Sequence, residues 1–230
     1  MADGGSGRRG LKVRVRTAKR RSASSARWLE RQLNDPYVAR AQGESRRARS
    51  AYKLIEIDDR FRLLRPGRRV VDLGAAPGGW SEVAAERVGS TDTKPLVVAV
   101  DMLGMAPISG VSVLRSDFLE PTTTAAIRAA LPGGAADVVL SDLAAPTTGH
   151  RRTDQLRTAH LAEAAADFAM SVLAAGGDLV AKVFSGGGER ELLTRLKRAF
   201  VRVGHVKPPA SRPESRELYL VARGFRGDAV

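Results

Sequence analysis

An α/β fold, with a seven-stranded, mostly parallel sheet covered by helices on both faces, is what this sequence predicts, and three observations predict it. From Arg68 onward, short apolar runs alternate with amphipathic stretches of helical period, the pattern of parallel strands joined by crossover helices. The last two strand candidates are joined by a proline-rich loop, Lys207-Pro208-Pro209 to Pro213, rather than by a helix, so the final pair is expected to be antiparallel. A glycine-rich turn, Gly74-Ala75-Ala76-Pro77-Gly78-Gly79, follows the first strand candidate, the place where open parallel sheets bind ligands.

The elements follow in order. Residues 1–27 are rich in Gly, Ser, Arg and Lys and read as a basic, disordered N-terminal arm. Residues 28–67 read as a helical extension. A helix over 25–33 places Trp28, Leu29 and Leu33 at helical spacing, and Asn34-Asp35-Pro36 breaks it. A second helix begins near Ser50, carries Ala51, Leu54, Ile55 and Phe61 on its apolar side, and ends before Arg65-Pro66-Gly67. Residues 68–230 form the main domain. Its strands are expected at 69–73, 96–100, 111–114, 137–141, 177–184, 200–206 and 217–223, with helices at 79–88, 123–131, 153–174 and 188–198.

Composition removes whole classes of chemistry. The chain contains no cysteine, which excludes disulfides, thiolate zinc sites, iron–sulfur clusters and cysteine nucleophiles. His150, His160 and His205 are isolated in the sequence, so no metal is expected. No run of 18 apolar residues is present and the N-terminus lacks a signal-peptide core, so a cytoplasmic protein without a membrane partner is expected. The formal net charge of +13 is unevenly placed: residues 1–69 hold 20 Lys and Arg against 7 Asp and Glu, and residues 70–230 hold 18 of each. A neutral body with a basic leading segment suits a polyanion, whose phosphates release counterions when Lys and Arg dock.

The glycine turn departs from the dinucleotide fingerprint, because its middle reads Ala75-Ala76-Pro77. That makes a pyrophosphate cradle a poorer fit than a ligand carrying a sulfonium and a carboxylate, such as S-adenosylmethionine. Asp101 ends the second strand, where a carboxylate can accept from ribose hydroxyls. Asp117 follows the third strand and can receive an adenine amino group. Either aspartate alone could be a turn residue; the pair at successive strand ends after a glycine turn points to a nucleoside.

Four further residues stand near predicted strand ends or helix starts: Lys53 in RARSAYKL, Asp142 in SDLAAP, Lys182 in AKVF and Glu217 in SRELYL. A sugar hydroxyl ionises only well above neutral pH, so its methylation needs a base. Burial and a neighbouring cation favour the neutral amine of a lysine, and a nearby carboxylate opposes it. Two lysines and two carboxylates in one cleft could therefore make a base, with Asp142 and Glu217 orienting the amines and stabilising a cationic donor. The plainer alternatives are a snorkelling strand-end lysine at Lys182, a turn aspartate at Asp142, and an edge-strand Glu217 paired with Arg216 or Arg223.

With these motifs in order, from DPYVARAQ through RARSAYKL, VDLGAAPGGW, the Ser-Asp after the fourth strand and KVF to SRELYL, the chain resembles the FtsJ family of RNA 2′-O-methyltransferases. The similarity runs from about Trp28 to Arg223 and is strongest to the bacterial branch acting on large-subunit ribosomal RNA. It implies a Rossmann-like class I S-adenosylmethionine-dependent methyltransferase fold. It also implies a catalytic tetrad at Lys53, Asp142, Lys182 and Glu217, with Lys182 accepting the proton. Cofactor contacts are implied at Gly78, Trp80, Asp101, Asp117 and Asp142. The implied partner is 23S rRNA within the 50S subunit, methylated on a uridine ribose. The stretch after the fourth strand, Asp142-Leu143-Ala144-Ala145-Pro146, lacks the family's usual asparagine. It also lacks the Pro-Pro-aromatic stretch of enzymes that methylate exocyclic amines, which favours oxygen methylation. Competing readings are methylation of a tRNA or another RNA, a non-catalytic ribosome assembly factor of the same fold, and a nicotinamide oxidoreductase, which the glycine spacing disfavours.

Overall fold

The structure is a computed structural model and describes residues 23–145, 150–185 and 189–227. The expected basic arm over 1–27 lies largely outside the described residues, as do Pro146 and the side chain of Trp28. The chain divides into two compact units, Met1–Arg49 and Ser50–Val230.

The first unit contains α1 (Ala23–Leu33) and α2 (Pro36–Gly43). Helix α2 was not expected from the sequence. The residues that break α1 also start α2: Asp35 Oδ1 accepts from Tyr37 N at 3.0 Å and Pro36 occupies the first turn, an acidic N-cap followed by proline. A breaker and a start signal are the same three residues here.

The second unit begins with α3 (Ala51–Phe61). This helix was expected to belong to an extension ending at residue 67, yet the units divide at Arg49 and Ser50. The reason is burial: Ala51, Leu54 and Ile57 share one apolar cluster with Val70, Trp80, Val83 and Val138. After α3 come β1 (Val70–Leu73), α4 (Gly79–Val88), β2 (Val97–Asp101), β3 (Val111–Arg115), α5 (Pro121–Ala130) and β4 (Ala136–Ser141). They are followed by α6 (Arg151–Val172), β5 (Leu173–Phe184), α7 (Glu189–Ala199), β6 (Phe200–Val206) and β7 (Glu217–Phe225). β5 starts four residues earlier than expected because Leu173 already pairs with Ala136, ahead of a register shift at Ala136/Val138.

The seven strands are ordered β3-β2-β1-β4-β5-β7-β6. The pairs β1–β2, β1–β4, β2–β3 and β4–β5 are parallel, and β7 runs antiparallel to both β5 and β6. The valine alternation in β1 explains how both faces are covered. Val71 and Leu73 join the cluster with Ile127 of α5, Ala165 and Ala169 of α6 and Leu192 of α7. Val70, one residue out of phase, joins α3 and α4. Strand order reverses between β1 and β4, so the carboxyl ends of these two strands form the crevice where such sheets bind ligands. No helix among the described residues is long and apolar enough to cross a membrane.

Candidate active site

The phase of side-chain alternation decides which residues meet. On β4, β5 and β7, Leu140, Val180 and Tyr219 point to the α3/α4 face. Asp142 lies two residues beyond Leu140, Lys182 two beyond Val180 and Glu217 two before Tyr219, so all three share that face at the carboxyl edge. Lys53 stands in the first turn of α3, the helix that covers it. A cation there faces the positive end of the helix dipole and is buried to 7% exposure, so it needs an anion.

That anion is Glu217, whose Oε1 lies 2.7 Å from Lys53 Nζ. The second lysine pairs with the second acid: Lys182 Nζ is 2.9 Å from Asp142 Oδ1 and donates to the Asp142 main-chain carbonyl at 2.7 Å. Tyr219, directly opposite Lys182 in the β5–β7 ladder, joins the two pairs. Its hydroxyl donates to Asp142 Oδ1 at 2.7 Å and accepts from Lys53 Nζ at 3.2 Å. The four expected residues thus belong to one hydrogen-bonded chain, Glu217–Lys53–Tyr219–Asp142–Lys182. The plain alternatives describe neither Lys182 nor Glu217: Lys182 is 7% exposed, and the ion-pair partner of Glu217 is a lysine on α3.

The charges are set by this contact network. Burial opposes ionisation of Asp142, but Lys182, Lys53 and the Tyr219 hydroxyl outweigh it and hold the carboxyl below the usual carboxylate range. Burial and the carboxylates of Asp142 and Glu217 push the Tyr219 phenol well above its usual value, so it remains a hydroxyl and a donor.

The glycine turn lies beside this chain. Gly74 has φ +73°, and a Cβ there would sit 2.7 Å from Leu143 Cδ2 and 3.2 Å from Leu143 Cα. Only glycine lets the loop after β1 approach the loop after β4 this closely. Gly78 caps α4, and the first-turn N–H groups of that helix open onto the same edge, where an anion is stabilised. Asp101 Oδ2 accepts from Ala76 N at 2.9 Å and Oδ1 from Leu103 N at 2.7 Å. Asp117 Oδ1 accepts from Leu119 N at 3.0 Å. Both aspartates therefore fill the turn role considered for them, and a carboxylate with about four acceptor sites retains capacity for a ligand.

Comparison with known proteins gives the family. Residues 46–225 match the FtsJ-like methyltransferase family. The chain belongs to that family. It is 59% identical over 228 residues to the ribosomal RNA large subunit methyltransferase E of Sphingopyxis alaskensis, covering 98% of this chain and 97% of the relative. It is 57% identical over 224 residues to the protein of the same name in Mesorhizobium japonicum, covering 97% and 84%. A solved ribosomal RNA methyltransferase from Plasmodium falciparum, 30% identical, superposes with a TM-score of 0.69 over 79% of this chain and 99% of its own.

Within this FtsJ-like methyltransferase, one expected cofactor residue sits differently from its motif. The Trp80 side chain is 2% exposed. Its ring packs 5.5 Å from that of Tyr219 and its Nε1 donates to Ser50 O at 2.9 Å. The indole is thus core, while the main-chain N–H of Trp80 lies in the first turn of α4. Three residues of the site were not singled out from the sequence: Tyr219, Ser211 and Asp72. Tyr219 was detectable, because i and i+2 on a strand share a face with Glu217. Asp72 is fully buried, its Oδ2 accepting from Ser81 Oγ at 2.6 Å. Its Oδ1 is buried without a hydrogen-bond partner among the described residues.

Proposed function

We propose that this methyltransferase transfers a methyl group from S-adenosylmethionine to the 2′-hydroxyl of a uridine ribose in 23S rRNA, met within the 50S subunit. The observation that carries the reading is the buried chain of two ammonium–carboxylate pairs joined by Tyr219 at the carboxyl edge of the sheet. The names of the bacterial relatives support a large-subunit rRNA substrate, and the excess of Lys and Arg over residues 1–69 suits a phosphate backbone.

The residues present fit this donor. Asp101 and Asp142 lie near enough to Asp72 to raise its pKa, and carboxylates gathered at this edge would favour a cationic ligand. Asp101 and Asp117 would accept from the ribose hydroxyls and the adenine amine. The N–H groups opening α4, after Gly78 and including that of Trp80, would meet the carboxylate. When bound, S-adenosylmethionine supplies an electrophilic methyl on a positively charged sulfur.

Lys182 Nζ, once it has given up its own ammonium proton, would accept the proton of the ribose hydroxyl, and S-adenosylmethionine would supply the methyl group to that oxygen. Asp142 keeps that amine aligned through a remaining N–H and, through Tyr219, senses the second pair. Lys53 and Glu217 hold the other side of the cleft, where Lys53 stabilises negative charge developing on the sugar oxygen. A cytoplasmic location accords with such a substrate. The test is a mass-spectrometric map of ribose methylation before and after adding the purified chain and donor to undermodified subunits. One new 2′-O-methyluridine in 23S rRNA is expected; methylation of added tRNA with none in the subunit would overturn the rRNA assignment.

A further inference from the structure

We propose that Ser211 and Glu56 are positioning residues that hold Glu217 against Lys53. This rests on the reading of Glu217 and Lys53 as part of the transfer machinery. Ser211 lies in the loop between β6 and β7 and is 4% exposed. Its Oγ donates to Glu217 Oε1 at 2.9 Å, the same oxygen that pairs with Lys53 Nζ. One carboxylate oxygen thus receives a hydroxyl and an ammonium. Two donors from different elements fix the Glu217 rotamer far better than one lysine on a flexible stem.

Glu56 ties the same loop to the same helix. It stands three residues after Lys53 on α3, on the same side of the helix, and its Oε2 accepts from Ala210 N at 2.6 Å. Ala210 immediately precedes Ser211. Helix α3 therefore grips the β6–β7 connection by two rungs, Lys53 to Glu217 and Glu56 to the main chain beside Ser211. The loop is braced from within as well: Lys207 Nζ donates to Pro213 O at 3.0 Å and Ser215 O at 2.7 Å, and Ser211 N to Pro208 O at 2.8 Å. Glu217 N also donates to Ser215 Oγ at 3.2 Å. A proline-rich loop of this kind would close the hairpin without a buried hydroxyl aimed at an ion pair. The Ser211 hydroxyl and the Glu56 carboxylate act on the site through Glu217.

The test uses the full chain with undermodified ribosomal subunits and donor, measuring kcat, KM for each substrate, and the thermal midpoint. Ser211→Ala is expected to lower kcat about tenfold, with KM for the donor within about twofold. Ser211→Thr restores most of the rate. Glu56→Ala lowers kcat by a smaller factor, and Glu56→Gln, which keeps a carbonyl acceptor, stays near the parent. The deciding arm is Ser211→Ala placed in a Glu217→Ala background, where no further loss is expected. Equal losses in both backgrounds, or a Ser211→Ala loss matched by the folded fraction, would overturn the proposal. If Glu217→Ala by itself leaves transfer intact, the failure belongs instead to the reading of the site.

Discussion

The two edges of this sheet both carry buried or half-buried ion pairs, and they are built from different cations. At the amino edge the cations are arginines. Arg68 Nη1 reaches Asp178 Oδ2 at 2.6 Å and Leu63 O at 2.8 Å, while Asp178 Oδ1 accepts from Gly224 N. Arg69 forks onto both oxygens of Asp137. Arg87 meets Asp58, whose other oxygen accepts from Leu63 N and Leu64 N. Each of these pairs ties side chain to main chain across elements. At the carboxyl edge the cations are Lys53 and Lys182, bridged by a phenol. Arginine is planar, permanently charged and matched to a carboxylate fork, so it staples; lysine is a point charge that can surrender its proton. The choice of cation separates an edge that holds the fold from an edge that can carry a reaction.

The comparison is broken most directly at Lys182. Lys182→Ala should cost roughly 10³-fold or more in kcat, the upper part of the range for a lost general base, with donor affinity by titration within a few-fold of the parent. Lys182→Arg keeps the charge and the Asp142 pairing but cannot accept a proton, so it should be nearly as inactive. Rapid transfer by the arginine variant would show that charge, not proton acceptance, is what the site needs. At the opposite edge, Arg68→Ala leaves Asp178 buried without its partner and should lower unfolding stability by ~3 kcal/mol in a urea titration. Its rate per folded molecule should stay at the parent value, and a collapse of that rate would mean the edges are not separable.

Much of this division was legible in the sequence, for physical reasons that also mark where reading stops. Short valine-rich runs spaced by helical stretches bury as strands of a sheet covered on both faces, so β1, β2 and β4 stood out. A lysine inside Leu179-Val180-Ala181-Lys182-Val183 is costly unless paired, which made Lys182 conspicuous. Tyr219 sits in an equally apolar run, where a tyrosine among leucines and valines reads as packing. Trp80 shows the reverse difficulty. Its motif marks a cofactor loop, yet sequence does not say whether side chain or main chain makes the contact, and the indole proves to be core. Ser211 depends on a loop folding back over six residues to Glu217, and no local period encodes that.

A smaller effect is expected from Asp72, a fully buried acid that no ion pair among the described residues reaches. Burial, countered in part by the Ser81 hydrogen bond and reinforced by Asp142 and Asp101, pushes its carboxyl from 3.8 up to about 7. The sign follows from linkage: the folded state holds this proton more tightly, so the contribution to stability is present below pH 4 and lost as pH rises through about 7. Asp72→Asn removes the titration while its carbonyl can still accept from Ser81. The stability difference should shift in the variant's favour by about 2 kcal/mol between pH 5 and pH 7, given ~1.4 kcal/mol per unit. Parallel stability curves for parent and variant across that window would place the Asp72 carboxyl in the ordinary range.

The finest test concerns the bridge itself. Tyr219→Phe deletes one hydroxyl, and with it the donor to Asp142 and the acceptor for Lys53, but keeps the ring against Trp80. Stability should fall by only about 1 kcal/mol, the usual net worth of one hydrogen bond. If the two lysine–carboxylate pairs work as one unit, kcat should drop about tenfold even though all four charged residues remain. Asp142 also loses one of the contacts that depress its pKa, so any acidic limb of the rate profile that reports Asp142 should move to higher pH. An unchanged kcat and an unmoved acidic limb would mean that Lys182 with Asp142, and Lys53 with Glu217, act separately. The phenol would then belong with the arginines, as part of what holds the sheet together rather than what the sheet does.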